Sequence, residues 1–175
     1  MKKKIAIDAS YKEDSAYTVG VIFSSWDETE PEEIIDSTIK NPSPYIPGEF
    51  YKRELKCILE LIKKINLHEY DTIIIDGFIW IKKDGELTEG LGAKLWMELE
   101  KQYPDLSIIG VAKSPFSDCI NYSQPVYRGT GITPLYVQGI GNKIDNRRAA
   151  SIIKRMGGSY KLPDLLKTLD KKPKS

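Results

Sequence analysis

The sequence predicts a mixed α/β fold, a sheet of three antiparallel strands followed by parallel strands, flanked by helices. Two observations predict it. Near the N-terminus, three segments with strand-like apolar patterning follow one another across short polar links, the order of an antiparallel meander. Further on, strand-like and helix-like segments alternate, the order that builds parallel strands joined by crossover helices.

Lys4-Ile5-Ala6-Ile7-Asp8 reads as the first strand and Ala16 to Phe23 as the second, with a polar turn at Lys12–Asp14 between them. The acids Asp27, Glu28, Glu30, Glu32, Glu33 and Asp36 mark a solvated hairpin tip, and Glu33 to Ile39 alternates as a third strand. A helix is expected from about Gly48 to Ile65, followed by the strand Thr72-Ile73-Ile74-Ile75-Asp76. A second helix spans about Glu89 to Tyr103, and Ser107 to Val111 is the next strand. Short strands near Val126 and at Leu135–Val137 precede a helix over about Ile144 to Met156. The 175 residues fit a single domain over 1–168, with 169–175 as a flexible basic tail.

Composition excludes several classes. With only Cys57 and Cys119, no disulfide framework or cysteine-rich metal site can be built, and with the lone His68 zinc is not expected. No apolar run approaches the ~20 residues of a membrane helix. Asp8 interrupts any signal-peptide core after the basic MKKK start, so a cytoplasmic protein without a membrane partner is expected. The net charge of +1 averages −7 over residues 1–100 and +7 over residues 140–175. That basic third is a candidate phosphate-facing surface, although a solvated helix with a Lys-rich end has the same composition.

Three acids stand where acids need explaining. Asp8 ends the first strand and Asp76 ends the run TIII, the strand ends beyond which open α/β sheets bind ligands. On a helical wheel of the first helix, Glu54 is the only charge inside the apolar arc. A buried carboxylate requires a cation, a metal or a proton. Three hard oxygen donors without His or Cys select Mg²⁺ or Mn²⁺, ions that bind phosphate oxygens and activate water. Acids on the first strand, the first helix and the fourth strand are also the layout of ribonuclease H-like nucleases, an analogy of fold.

Four segments in order resemble the endonuclease V family. They are Ile7-Asp8-Ala9-Ser10-Tyr11; Pro44-Tyr45-Ile46-Pro47-Gly48 with Arg53-Glu54; Ile75-Asp76-Gly77; and Gly110-Val111-Ala112-Lys113-Ser114. A weaker fifth runs from Leu135-Tyr136-Val137 through Gly141-Asn142-Lys143-Ile144 to Gly158-Ser159-Tyr160-Lys161-Leu162-Pro163. The resemblance implies a metal-dependent endonuclease that cuts near deaminated purine, chiefly inosine, in single-stranded or locally opened DNA or RNA, a DNA-repair chemistry. Asp8, Glu54 and Asp76 would be its ligands for Mg²⁺ or Mn²⁺. Lys113 would neutralise the scissile phosphate or orient the attacking water. Pro44, Tyr45, Ile46 and Pro47 would form a strand-separating wedge, and Gly77, Lys82, Ser114, Asn142 and Lys143 would join the nucleic-acid-binding set. No obligate protein partner is evident. The prolines stiffen the loop around Tyr45, as a stacking wedge requires.

The chain departs from the family pattern where DG-x-G-x-A-H-P reads Asp76-Gly77-Phe78-Ile79-Trp80-Ile81-Lys82 and where Gly-His-Arg reads Gly141-Asn142-Lys143. Both histidines are absent, and Lys82 takes the position of one. Two alternatives follow: a nuclease of this fold acting on other structured nucleic acid, or a nucleic-acid-binding module with lost or weak cleavage.

Overall fold

Alternating burial along isoleucine-rich strands gives the sheet two apolar faces, and helices cover both. The computed structural model describes residues 2–42, 50–115 and 121–171. Strands β1 (Lys3–Lys12), β2 (Ser15–Phe23) and β3 (Glu33–Lys40) form the expected meander, with β1 antiparallel to β2 and β2 to β3. Helix α1 (Phe50–Ile62) then crosses to β4 (Tyr70–Asp76), which lies parallel to β1. A hairpin of β5 (Trp80–Lys83) and β6 (Glu86–Glu89) leads into α2 (Leu91–Leu99) and β7 (Ser107–Ala112), parallel to β4. Strands β8 (Gln124–Val126) and β9 (Leu135–Gly141) complete the sheet in the order β3-β2-β1-β4-β7-β9-β8. Helices α3 (Asn146–Arg155) and α4 (Asp164–Lys171) follow.

The mixed ribonuclease H-like sheet is therefore present, but its parallel run ends at β7. β9 pairs antiparallel with both β7 and β8. A parallel return needs a crossover, usually a helix, and none lies between β7 and β9 among the described residues.

Along β4, Ile73 and Ile75 join the core on the α1–α2 side, whereas Ile74 joins the core under α3 and α4. That is the period of two in a strand buried on both faces. On the first face Ile58, Leu61 and Ile62 of α1 meet Leu95 and Leu99 of α2. On the second, Ile152 and Ile153 of α3 meet Leu165, Leu166 and Leu169 of α4.

Two elements go beyond the periodicity reading. The hairpin turns at Asp84-Gly85, where both residues have positive φ (52° and 82°), as a two-residue type I′ turn requires. Helix α4 extends through Lys171 and buries Leu169. No described helix is long and apolar enough to cross a membrane.

Candidate metal centre and adjoining cleft

The parallel register of β1 and β4 sets Ile7 level with Ile75 and leads directly to Asp8 and Asp76. Asp76 ends β4 as expected, but Asp8 does not end β1: the strand runs on to Lys12 because β2 continues to pair with it after β4 has left. Two residues earlier on each strand, Ala6 and Ile74 lie in the core under α3 and α4. The two carboxylates therefore project toward that face. A third comes from the far end of the chain: the carboxylates of Asp8, Asp76 and Asp170 offer oxygens that all lie within 4.8 Å of one another. Leu165, Leu166 and Leu169 anchor α4 against the sheet and so set Asp170 beside Asp8 and Asp76.

Lys113, one residue past β7, donates hydrogen bonds to both carboxylate oxygens of Asp170 at 2.7 Å. Its Nζ also lies 3.9 Å from Asp76 Oδ2. Partial burial pulls the ammonium pKa down, but the Asp170 bond and the charges of Asp76, Asp170 and Asp8 together raise it above the ordinary lysine value. Lys113 stays charged, one cation among three anions.

Glu54 approaches from the α1 side. Burial first, and then the charges of Asp8 and Asp76, push its carboxyl up to about 7, against a smaller opposing pull from Arg53. Between about pH 4.5 and 7 the folded chain without a cation thus keeps a proton on Glu54 that the unfolded chain has released. This contribution to stability is fully present below pH 4.5 and is lost as pH rises through about 7. In chelator, the melting temperature of the wild type should therefore fall more between pH 5 and 8 than that of Glu54→Gln. Saturating Mn²⁺ should shrink the difference by displacing the proton. Parallel pH profiles for the two proteins in chelator would contradict the placement of Glu54.

The turn after Asp76 depends on two glycines. Gly77 has φ 141°, a conformation side chains rarely adopt, and its N–H donates to Val111 O at 2.9 Å. A Cβ at Gly110 would lie 2.5 Å from Gly77 O. This backbone contact turns the chain away at Asp76 and opens a cleft beside it. Glu54, Asp76 and Gly77 line one part of the cleft together with Lys113 and Ser114, and Phe78, Ile81, Leu91 and Pro115 supply apolar wall.

The arrangement fits a hard divalent cation. Mg²⁺ binds oxygens at about 2.0–2.1 Å in an octahedron, which places its ligand atoms roughly 3–4 Å apart. Carboxylate oxygens within 4.8 Å of one another need little adjustment to reach that spacing. A cation also relieves the repulsion that raises the Glu54 pKa.

The expected site residues sort into groups. The structure brings Asp8, Asp76 and Lys113 together, sets Glu54 facing the first two, and places Gly77 and Ser114 in the cleft wall. Asn142 and Lys143 are elsewhere. Gly141 pairs with Ser107 at the start of β7, whereas Lys113 leaves its other end, because β9 runs antiparallel to β7. The two residues instead line a pocket with Trp26, Asp71 and Asp105, so the weak GNK match does not mark this site. Lys82, on the hairpin, places its ammonium 5.9 Å from the Tyr122 ring centroid and is not among the residues lining either side of the acids. Ile79 is fully buried against Gly92 and Gly110, so it packs the core and does not narrow the cleft. Pro44, Tyr45, Ile46 and Pro47 lie outside the described residues.

Sequence reasoning missed Asp170. The available signal was the stretch Pro163-Asp164-Leu165-Leu166-Lys167-Thr168-Leu169-Asp170, a proline-started amphipathic turn pattern obscured by the lysines after it.

A profile of the family described as Endonuclease V matches residues 2–128. Among solved structures, the chain is similar to endonuclease V of Ciona intestinalis in complex with a 24mer DNA containing an inosine followed by a ribo-adenosine. That match has 20% identity and a TM-score of 0.71, covering 97% of this chain and 83% of that one. It is likewise similar to human endonuclease V, with 18% identity, a TM-score of 0.70 and coverage of 97% and 81%. The Streptomyces avermitilis endonuclease V gives 18%, 0.70, and coverage of 96% and 78%. At these identities the structural matches show a shared fold. No curated protein sequence matches the chain.

Proposed function

The chain belongs to the endonuclease V family, and from that premise we propose that it is an endonuclease dependent on Mg²⁺ or Mn²⁺ that hydrolyses a phosphodiester near inosine in DNA or RNA. The observation that carries this reading is the convergence of Asp8, Asp76 and Asp170 beside a cleft that opens at Asp76.

Asp8, Asp76 and Asp170 would hold the cation, and Glu54 completes the oxygen-donor set from the α1 side. When bound, the cation supplies Lewis-acid stabilisation of phosphate charge and lowers the pKa of a coordinated water. Lys113 brings a fixed positive charge to the same place and faces the developing charge on the phosphate. Its hydrogen bonds to Asp170 keep it pointed at the acids. The cleft beside Asp76 takes the displaced base against Phe78, Ile81 and Leu91, apolar surfaces that exclude water from one side of it. With no histidine at the centre, proton handling rests on carboxylates and water.

The test incubates purified protein with inosine-containing single-stranded DNA and RNA in Mn²⁺ and in Mg²⁺, beside inosine-free strands and branched DNA, with Asp76→Ala as the control. Cleavage near inosine that disappears in the variant is the expected result. Equal cutting of inosine-free branched DNA would favour another substrate of the same chemistry. Binding without turnover in either metal would leave a nucleic-acid-binding module.

A further inference from the structure

Helix α4 carries Asp170 at the acid cluster and Lys167 one turn earlier, so the two side chains neighbour each other on the helix surface. The Lys167 ammonium lies 3.7 Å from the Tyr160 ring centroid. Tyr160 is 60% exposed and Tyr127 is 52% exposed, and the two line one shallow pocket with Lys154 and Gly158 between them. Lys154 donates to the Tyr127 carbonyl at 2.8 Å, and Lys161 donates to Thr133 Oγ1 at 2.8 Å. Among the described residues, no carboxylate forms a salt bridge with Lys154, Lys161 or Lys167. Their contacts are neutral acceptors and a ring, and the Asp164 carboxylate of this region lies against Gly158 instead.

The exposed rings are held in place from beneath. The buried Arg128 guanidinium donates to the carbonyls of Met156 and Gly158, and a Cβ at Gly129 would lie 3.1 Å from Lys161 N. The segments that present Tyr127 and Tyr160 are therefore locked backbone to backbone.

We propose that this surface is a track for single-stranded nucleic acid flanking the scissile phosphate. Tyr160 and Tyr127 stack on bases, and Lys167, Lys154 and Lys161 accompany the backbone. The inference rests on the nuclease reading. Alternating exposed aromatics and cations is what sequence-tolerant strand binding requires, because every base has a π-face and every nucleotide a phosphate. The positive charge of Lys154, Lys161 and Lys167 favours a polyanion over a cationic partner, and α4, which carries both Lys167 and Asp170, links the patch to the acid cluster. It also gives a location for part of the +7 balance of residues 140–175.

The test measures binding of fluorescein-labelled single-stranded DNA, one of 4 and one of 20 nucleotides, by anisotropy in chelator so that no cleavage occurs. The wild type should bind the 20-mer at least tenfold more tightly than the 4-mer. Tyr127→Ala with Tyr160→Ala should remove that length advantage, each truncation weakening the 20-mer by about fivefold or more, since a stacked base contributes roughly 1–3 kcal/mol. Tyr160→Phe should retain it, because phenylalanine keeps the stacking face. Lys154→Gln with Lys167→Gln should reduce the salt slope by about 1.4, at ~0.7 per phosphate on single strands. A double tyrosine variant that binds both strands like the wild type overturns the track while leaving the nuclease reading standing. A wild type without any length advantage overturns it as well. Loss of inosine cleavage, measured separately, concerns the nuclease reading alone.

Discussion

Asp170→Asn is expected to lower cleavage by about 100-fold or more and to weaken Mn²⁺ binding by a similar factor. Loss of a partner one shell further out already costs roughly 10–100-fold at metal sites. The substitution keeps the size of the side chain but halves its ability to accept, removes one anion from the cluster of Asp8, Asp76 and Asp170, and weakens the hold on Lys113. Asp170 is exposed, so the fold should survive. Single-turnover cleavage of an inosine strand and calorimetric Mn²⁺ titration check both halves of the prediction. A variant within a few-fold of wild type in both would remove Asp170 from the centre and leave Glu54 as the third acid.

The second large effect concerns stability. Arg128 is 7% exposed, and its guanidinium donates to Met156 O at 2.8 Å and Gly158 O at 2.9 Å. Burial pulls its pKa below the ordinary arginine value, partly offset by Asp164. Hydrogen bonds from a charged donor contribute about 1.5–3 kcal/mol each, and the buried Met156 carbonyl would be left unpaired, whereas that of the exposed Gly158 can turn to water. Arg128→Met should therefore cost about 3 kcal/mol or more, a fall in melting temperature of roughly 6–12 °C for a chain of this size. Arg128→Lys should recover part of the loss, because both carbonyls accept from the single nitrogen Nη2, while Nη1, which reaches Lys161 O at 3.5 Å, has no counterpart in an ammonium. The loop those carbonyls belong to leads into α4, so cation binding should weaken with stability. Equal melting temperatures for wild type and Arg128→Met would show that water replaces the guanidinium without cost.

Much of the fold was legible in the sequence because its signals are local. The meander could be read from three alternating segments, Asp76 from its position at a strand end and Glu54 from its place within an apolar helix face, whereas Asp8, expected at a strand end, lies inside β1. Glu54 is the clearest case. An acid inside an apolar arc must be burdened by burial, and burial is the first cause of its raised pKa. The β5–β6 hairpin was less legible because Trp80-Ile81-Lys82-Lys83 is short and its alternation weak, although Asp84-Gly85 is a turn signal. The weakness of the GNK match had a physical side too. A motif at the end of a strand can lie at either edge of the sheet, depending on which way that strand runs.

The sequence by itself determined the periodicities: which of the longer segments are strands or helices, which faces are apolar, and that Asp76 ends the fourth strand. It also determined the chemistry of the donors, since a chain with one histidine and two cysteines can offer a metal little but oxygen. Only the tertiary structure decided which of those groups meet. It brought Asp170 of the last helix to Asp8 of the first strand and carried Asn142 and Lys143 to the opposite end of the sheet. The reason is that side-chain period is a property of a few neighbouring residues, whereas strand direction and helix docking are set by contacts between segments far apart in the chain. A leucine stripe predicts that α4 will dock, but the surface it docks on, and so the partner of Asp170, exists only once β1, β4 and β7 have paired.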